Sequence, residues 1–201
     1  MRNTDTISII IILIFVLQSG MALAQSGWFW QNPLPQGNTL TAVHFSDAMT
    51  GTAVGEDGTI LRTTNGGEDW TRMPSPTTKD LTGVYFTDAM TGTVVGASGT
   101  ILRTTDGGAH WTEQTSGTSV YLYSICFTDA MTGTVVGTTG TILRTTDGGA
   151  NWSVQNSGTT ATLLGVAFTD ANTGTAVGIR GTILRTTDGG LHWVRQTSGT
   201  D

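Results

Sequence analysis

The chain has a single cysteine, Cys126, and a single lysine, Lys79. Only 12% of its 201 residues are charged, and the net charge is −6. A lone cysteine excludes an intrachain disulfide, so stability must come from packing and strand pairing. The scarcity of cations removes the basic footprint that nucleic acid needs for counterion displacement. It disfavours anionic membrane surfaces for the same reason. Beyond residue 24 no apolar run is long enough to cross a bilayer as a helix.

Residues 1–24 have the layout of a secretory signal peptide. Arg2 opens a short polar segment, residues 7–17 are almost all apolar, and Ala22-Leu23-Ala24 forms a small-residue cleavage site. The mature chain therefore starts at about residue 25, and the expected location is periplasmic or extracellular. The residue directly after Ala24 is Gln25 rather than a cysteine that could take a lipid anchor.

What the chain does have is repetition. Trp70, Trp111, Trp152 and Trp193 stand 41 residues apart, and each closes a version of Gly-Thr-Ile-Leu-Arg-Thr-Thr-Asp-Gly-Gly-x-x-Trp. A fixed period of this size dictates architecture before any single residue is read. In the second copy, Leu81–Phe86 reads as a strand with Val84 and Phe86 on one face. Residues 93–96 form a short Val-rich strand, and Ala97-Ser98 between two glycines predicts a two-residue hairpin. Residues 100–104 and 111–114 supply two more strands. Four short strands per repeat predict an all-β fold, a β-propeller of four-stranded blades over about 40–73, 81–114, 122–155 and 163–196. Glycine, threonine and β-branched content excludes helical solenoids of similar period.

Within each repeat lies the pattern Ser/Thr-x-Asp-x-Gly-x-x-aromatic, the Asp-box. It comprises Thr63, Asn65, Gly67 and Trp70; Thr104, Asp106, Gly108 and Trp111; Thr145, Asp147, Gly149 and Trp152; and Thr186, Asp188, Gly190 and Trp193. The carboxylate can accept backbone N–H bonds inside the turn, glycine can adopt positive φ, and tryptophan can cover the hairpin. Asn65 replaces the first aspartate, and its amide oxygen can accept the same bonds. One carboxylate per blade cannot converge on a single ion, so neither a metal nor a cofactor is expected.

Asp-boxes preceded by Gly-x-x-Gly-x-Ile-Leu resemble the photosystem II assembly/stability factor family of Asp-box (BNR-repeat) propellers. The resemblance runs from about Trp28 to Asp201. One departure is threonine at positions 52, 93, 134 and 175, where the family often has tryptophan. The resemblance implies a non-enzymatic propeller that binds a protein partner. Asp-boxes also occur in sialidases and other glycoside hydrolases, so a fragment of such an enzyme, or a glycan-binding propeller, is the alternative.

Residues repeated in every copy belong to the fold, and function should lie where the copies differ. Arg62, Arg103, Arg144 and Arg185 are one repeated position, as are Asp47, Asp88, Asp129 and Asp170. The remaining acids, Glu56, Asp57, Glu68, Asp69, Asp80, Glu113 and Asp201, have no evident partner for a glycosidase pair. Alternating turns place the divergent hairpin turns and inter-blade connections on one face of the disc. The candidate binding face carries Glu56, Asp57, Tyr121 and Arg180, the last two as anchors because Tyr and Arg are enriched at interface hot spots. The position shared by His44, Tyr85, Cys126 and Ala167 also varies and is expected to line the channel or pack between blades. His110 and His192 read as exposed turn residues.

The strand count does not close. Trp28–Asn32 matches the fourth-strand segment Trp152–Asn156, so residues 28–32 predict an extra outer strand, surplus to the fourth strand at residues 193–196 and expected beside the first blade or displaced. The expectation is an open arc from a longer propeller, seven-bladed by resemblance.

Overall fold

The computed structural model describes residues 37–199. The signal peptide and the extra strand at residues 28–32 lie outside the described residues. The fold is all-β. The first blade comprises β1 (Leu40–Phe45), β2 (Gly51–Gly55), β3 (Ile60–Thr63) and β4 (Thr71–Arg72). The second comprises β5 (Leu81–Phe86), β6 (Gly92–Gly96), β7 (Ile101–Thr104) and β8 (Thr112–Gln114). The third comprises β9 (Leu122–Phe127), β10 (Gly133–Gly137), β11 (Ile142–Thr145) and β12 (Ser153–Gln155). The fourth comprises β13 (Leu163–Phe168), β14 (Gly174–Gly178), β15 (Thr182–Thr186) and β16 (Val194–Gln196). Each blade is one antiparallel sheet in sequence order.

Strand pairing buries one half of each alternating pattern on each side of the sheet. Val94 pairs with Leu102, and Val95 with Ile101. Val94 and Leu102 join Leu81, Val84, Phe86 and Trp111 on the side that faces the preceding blade, where Val54 and Ile60 meet them. Val95 and Ile101 lie on the opposite side and meet Leu122, Ile125, Phe127 and Leu143 of the third blade. Val136 and Ile142 repeat the arrangement against Leu163, Ala176, Leu184 and Trp193. Because side chains alternate with a period of two, a short strand can thus serve two cores at once.

The first strand of each blade packs on the next: β1 on β5, β5 on β9, β9 on β13. Among the described residues no contact of comparable extent returns from β13 to β1. The four blades therefore form an arc. Thr41 Oγ1 donates to the Leu81 carbonyl across the first junction (2.5 Å), and Thr82 Oγ1 donates to the Leu122 carbonyl across the second (2.6 Å).

Two sets of turns mark two rims. On one rim the Asp-box turn is tied to the first hairpin, with Gly107 N–H donating to the Met90 carbonyl (2.8 Å) and equivalents at Gly66, Gly148 and Gly189. On the other rim the second hairpin is tied to the connection leaving the blade, as in Gly99 N–H to the Val120 carbonyl (2.6 Å). This second hairpin is longer than its sequence suggests. Gly96 N–H bonds the Thr100 carbonyl (3.0 Å), so Ala97, Ser98 and Gly99 form a three-residue turn. The reason is backbone geometry. Ser98 and Gly99 both take the left-handed region (φ 54° and 70°), which lets Thr100 N–H reach back to the Ala97 carbonyl.

The same left-handed position is held by Asp57, Thr139 and Arg180 (φ 52°, 54° and 55°). It is least favourable for the β-branched Thr139. Thr139→Gly should therefore stabilise the fold by about 0.5–1 kcal/mol, measured as a rise in urea midpoint at unchanged slope. A fall in midpoint would show that the turn is not strained.

Candidate functional site

Each Asp-box is a closed set of short hydrogen bonds. In the second blade Thr104 Oγ1 donates to Asp106 Oδ1 (2.7 Å) and accepts from Gly108 N–H (3.0 Å). Asp106 Oδ1 also accepts from His110 N–H (2.9 Å). The boxes at Thr145–Trp152 and Thr186–Trp193 repeat this geometry. Beside each box a Phe ring meets the Trp edge-on, as in Phe86 and Trp111 at 6.0 Å and 88°. Such pairs contribute about 0.5–1.5 kcal/mol beyond area burial. The Phe ring lies so close over the first residue of the second strand that a Cβ on Gly92 would meet it at 2.7 Å.

The first box keeps the charge but moves it. Asn65 Nδ2 donates to Asp69 Oδ2 (2.9 Å), whereas in the third box Asn151 Nδ2 donates to Asp147 Oδ2 (2.8 Å). The Asn/Asp pair is the same with its order reversed. His110 and His192 fill the Asn151 position and are exposed, but they are not idle. Their Nδ1 atoms lie 2.7 Å and 2.6 Å from Asp106 and Asp188 Oδ2.

The repeated arginine spans two blades: Arg103 Nη1 donates to Thr93 Oγ1 of its own blade (3.5 Å), and the guanidinium reaches the box of the next. A Cβ on Gly107 would lie 3.1 Å from Arg62 Nη2, one on Gly148 3.3 Å from Arg103 Nη2, and one on Gly189 3.2 Å from Arg144 Nη2. Burial lowers the Arg103 and Arg144 pKa values, and carboxylates on both blades oppose that fall. These arginines are built into the junctions, so they are not arranged to hold a substrate carboxylate.

The divergent rim holds the asymmetric chemistry. Asp80 Oδ1 accepts from Asp57 N–H (3.2 Å), and Tyr121 Oη donates to Asp80 Oδ2 (3.5 Å). Tyr121 packs on Tyr123 with ring centroids 4.9 Å apart. Glu56 is the next residue along the same hairpin. Asp57 and Tyr121 are thus brought together through Asp80, and the Glu56 carboxylate, which accepts from Thr39 N–H (3.3 Å), lies near enough to act on Tyr121. Burial raises the Tyr121 pKa, and the nearby Asp80 carboxylate adds to it. Arg180 is not part of this cluster. It lines a hollow of about 270 Å³ with Thr160, Ala161 and Arg195. Sequence spacing gave Asp80 no partner, because its partners come from the second hairpin of the first blade and from a connection 41 residues on. Glu113 also has one, since Lys79 Nζ lies 3.7 Å away.

At the varied first-strand position, His44 and Tyr85 lie ring against ring at 4.9 Å. Burial lowers the His44 pKa and raises those of Tyr85 and Cys126. A raised thiol pKa disfavours a nucleophilic Cys126. Among the described residues no group of three or more His, Cys, Asp or Glu side chains is placed to hold a metal ion.

Residues 68–153 and 151–201 match the family described as photosynthesis system II assembly factor YCF48. The chain belongs to the YCF48 family. No curated protein matches the sequence. A solved structure of YCF48 bound to D1 peptide is similar at 23% identity and TM-score 0.68, covering 82% of this chain and 55% of that one. YCF48 from Cyanidioschyzon merolae is similar at 23% identity and TM-score 0.66, covering 82% and 58%. An ancestral GH74 enzyme shares the fold at 19% identity and TM-score 0.70, covering 86% of this chain and 26% of the enzyme. The chain spans a little over half the length of the two YCF48 structures.

The box carboxylates tie stability to pH. Hydrogen bonds from the Asn151 side chain and backbone hold Asp147 down to about 2, against 3.8 for a free carboxyl. Asp106 and Asp188 are also held low, first by the His backbone N–H and then by the His ring. A carboxyl whose folded pKa is depressed stabilises above its unfolded value and loses that contribution as pH falls through the folded one. Asp147→Asn should therefore lower the melting temperature at pH 7, and the gap to wild type should narrow as pH falls from about 4 to about 2. A gap that widens in acid would contradict this assignment.

Proposed function

We propose that this YCF48-family propeller is a non-catalytic, exported scaffold that holds a polypeptide segment on its divergent rim. Export rests on the signal peptide read in residues 1–24. The observation that carries the binding role is the cluster of Glu56, Asp57, Asp80 and Tyr121, an acidic and aromatic departure from the 41-residue repeat on the divergent rim. Its carboxylates favour a cationic peptide, and the Tyr121–Tyr123 pair offers an aromatic surface to its aliphatic or aromatic side chains. That a YCF48 structure holds a D1 peptide supports a peptide as the ligand class.

A glycoside hydrolase is the second reading, favoured by the GH74 fold likeness. It requires a carboxyl kept protonated as general acid. The displaced carboxyls at Asp47, Asp88, Asp129 and Asp170 are instead held low by backbone N–H donors from their own turns, as the box carboxyls are by theirs. These shifts run opposite to what an acid catalyst needs.

Fluorescence anisotropy with labelled Lys/Arg-containing peptides, a D1 peptide and acidic controls tests the proposal. Basic peptides should bind, and Tyr121→Ala or Asp80→Asn should weaken binding by about 5–30-fold, as loss of a hot spot does. Arg180→Ala should not weaken it. Preference for acidic peptides, or hydrolysis of xyloglucan or aryl glycosides that Asp80→Asn abolishes, would overturn it.

A further inference from the structure

The two ends of the arc are the two halves of a junction that the chain already makes three times. On the first blade the outward side carries Leu40, Val43, Phe45, Ala53, Leu61 and Trp70. The same positions in the fourth blade, which meet the third, are Leu163, Val166, Phe168, Ala176, Leu184 and Trp193. The six residue types are identical. On the other side of that junction stand Val136, Ile142 and Arg144 of the third blade. The fourth blade offers Val177, Ile183 and Arg185 at the same positions, again identical.

Both ends are bare. Val43 is 59% exposed where its counterpart Val84 is 8%, and Val177 is 44% exposed where Val95 is 0%. Leu40, Val43, Ala53, Leu61 and Trp70 line an apolar groove of about 430 Å³. Charge matches as well. Gly107, Gly148 and Gly189 each have the preceding blade's guanidinium alongside, while Gly66 of the first box has Ala48 and Met49 as its nearest neighbours. Arg185 is the repeated arginine with no box ahead of it among the described residues, and it is exposed. The first box carries two carboxylates, Glu68 and Asp69, and Asp69, which accepts from Asn65, is placed to receive it.

We infer that two copies of this chain join end to end, the fourth blade of each packing on the first blade of the other through this same junction. Arg185 of one copy enters the Asn65–Asp69 box of its partner. Val177 and Ile183 fill the Leu40–Trp70 groove, as Val136 and Ile142 meet the fourth blade within the chain. A head-to-tail contact of this kind closes into a ring or grows without limit. Two arcs of four blades give a ring at the upper end of the roughly four-to-eight range that propellers span, and three arcs exceed it.

Light scattering after size exclusion, across a range of concentrations, should give twice the mass of the chain. Val43→Asp and Val177→Asp each place a charge in both junctions of such a ring, so each alone should be monomeric. Both residues are exposed in the single arc, and circular dichroism should show an unchanged fold. Mixing the two variants restores one undamaged junction, so the mixture should recover a dimer at lower affinity than wild type. A wild-type monomer at every concentration overturns the inference, whatever then covers the Val43 groove. So does an open-ended series of masses, a mixture that stays monomeric, or a dimer that only one of the two variants disrupts.

Discussion

The structure depends on one contact, the packing of a blade's second and third strands against the first strand and tryptophan of the blade that follows. A sheet of four short strands cannot shield both of its faces, and this chain has no disulfide to compensate. Val54 and Ile60 are fully buried only because Leu81, Phe86 and Trp111 arrive from the second blade. Each buried aliphatic or aromatic side chain contributes about 1.5–3 kcal/mol relative to exposure. The same sheet is therefore stable or unstable according to its neighbours, and the unit of folding is the junction rather than the blade.

The Asp-box serves that junction. Its threonine and carboxylate fix the turn through short hydrogen bonds, which leaves the glycine backbone open on the side where the preceding arginine lies. A half-buried guanidinium is unfavourable without nearby negative charge. For Arg103 the hairpin carboxylate of its own blade, Asp88, and the box carboxylate of the next, Asp147, supply that charge, each satisfied by its own turn. The first box, which has no guanidinium beside Gly66 among the described residues, keeps a carboxylate four residues on, at Asp69, where it accepts from the Asn65 side chain.

Most of the fold was legible because its determinants are local. Alternation in Leu81–Phe86, the glycine signals around the hairpins and the 41-residue period each act over a few residues or repeat without change. The parts that were not legible are those set by geometry between repeats. That Arg103 serves the box after its own depends on the rotation from blade to blade, which no spacing encodes. That Asp80 meets Asp57 and Tyr121 depends on a hairpin and a connection converging on one rim. The hairpin itself was read as two residues, because glycine at both ends hides the left-handed residue between them. Backbone conformation, not composition, adds the third.

That left-handed residue also bears on why one rim can specialise. Its backbone is the same in all four copies, with φ between 52° and 55°, yet the side chain is Asp57, Ser98, Thr139 or Arg180. Glycine would suit this conformation better at every copy. A position that is fixed in backbone and free in side chain presents different chemistry from a constant scaffold. In the first blade it does more, because the strained turn is what aims the Asp57 amide at Asp80. Strain of this kind persists only where the surroundings over-determine it. Here the carbonyl bonds that tie each hairpin to its neighbouring connection supply that determination. The repeat thus holds one rim constant for packing and leaves the other rigid in backbone but variable in sequence, which is the condition under which a symmetric scaffold can acquire an asymmetric site.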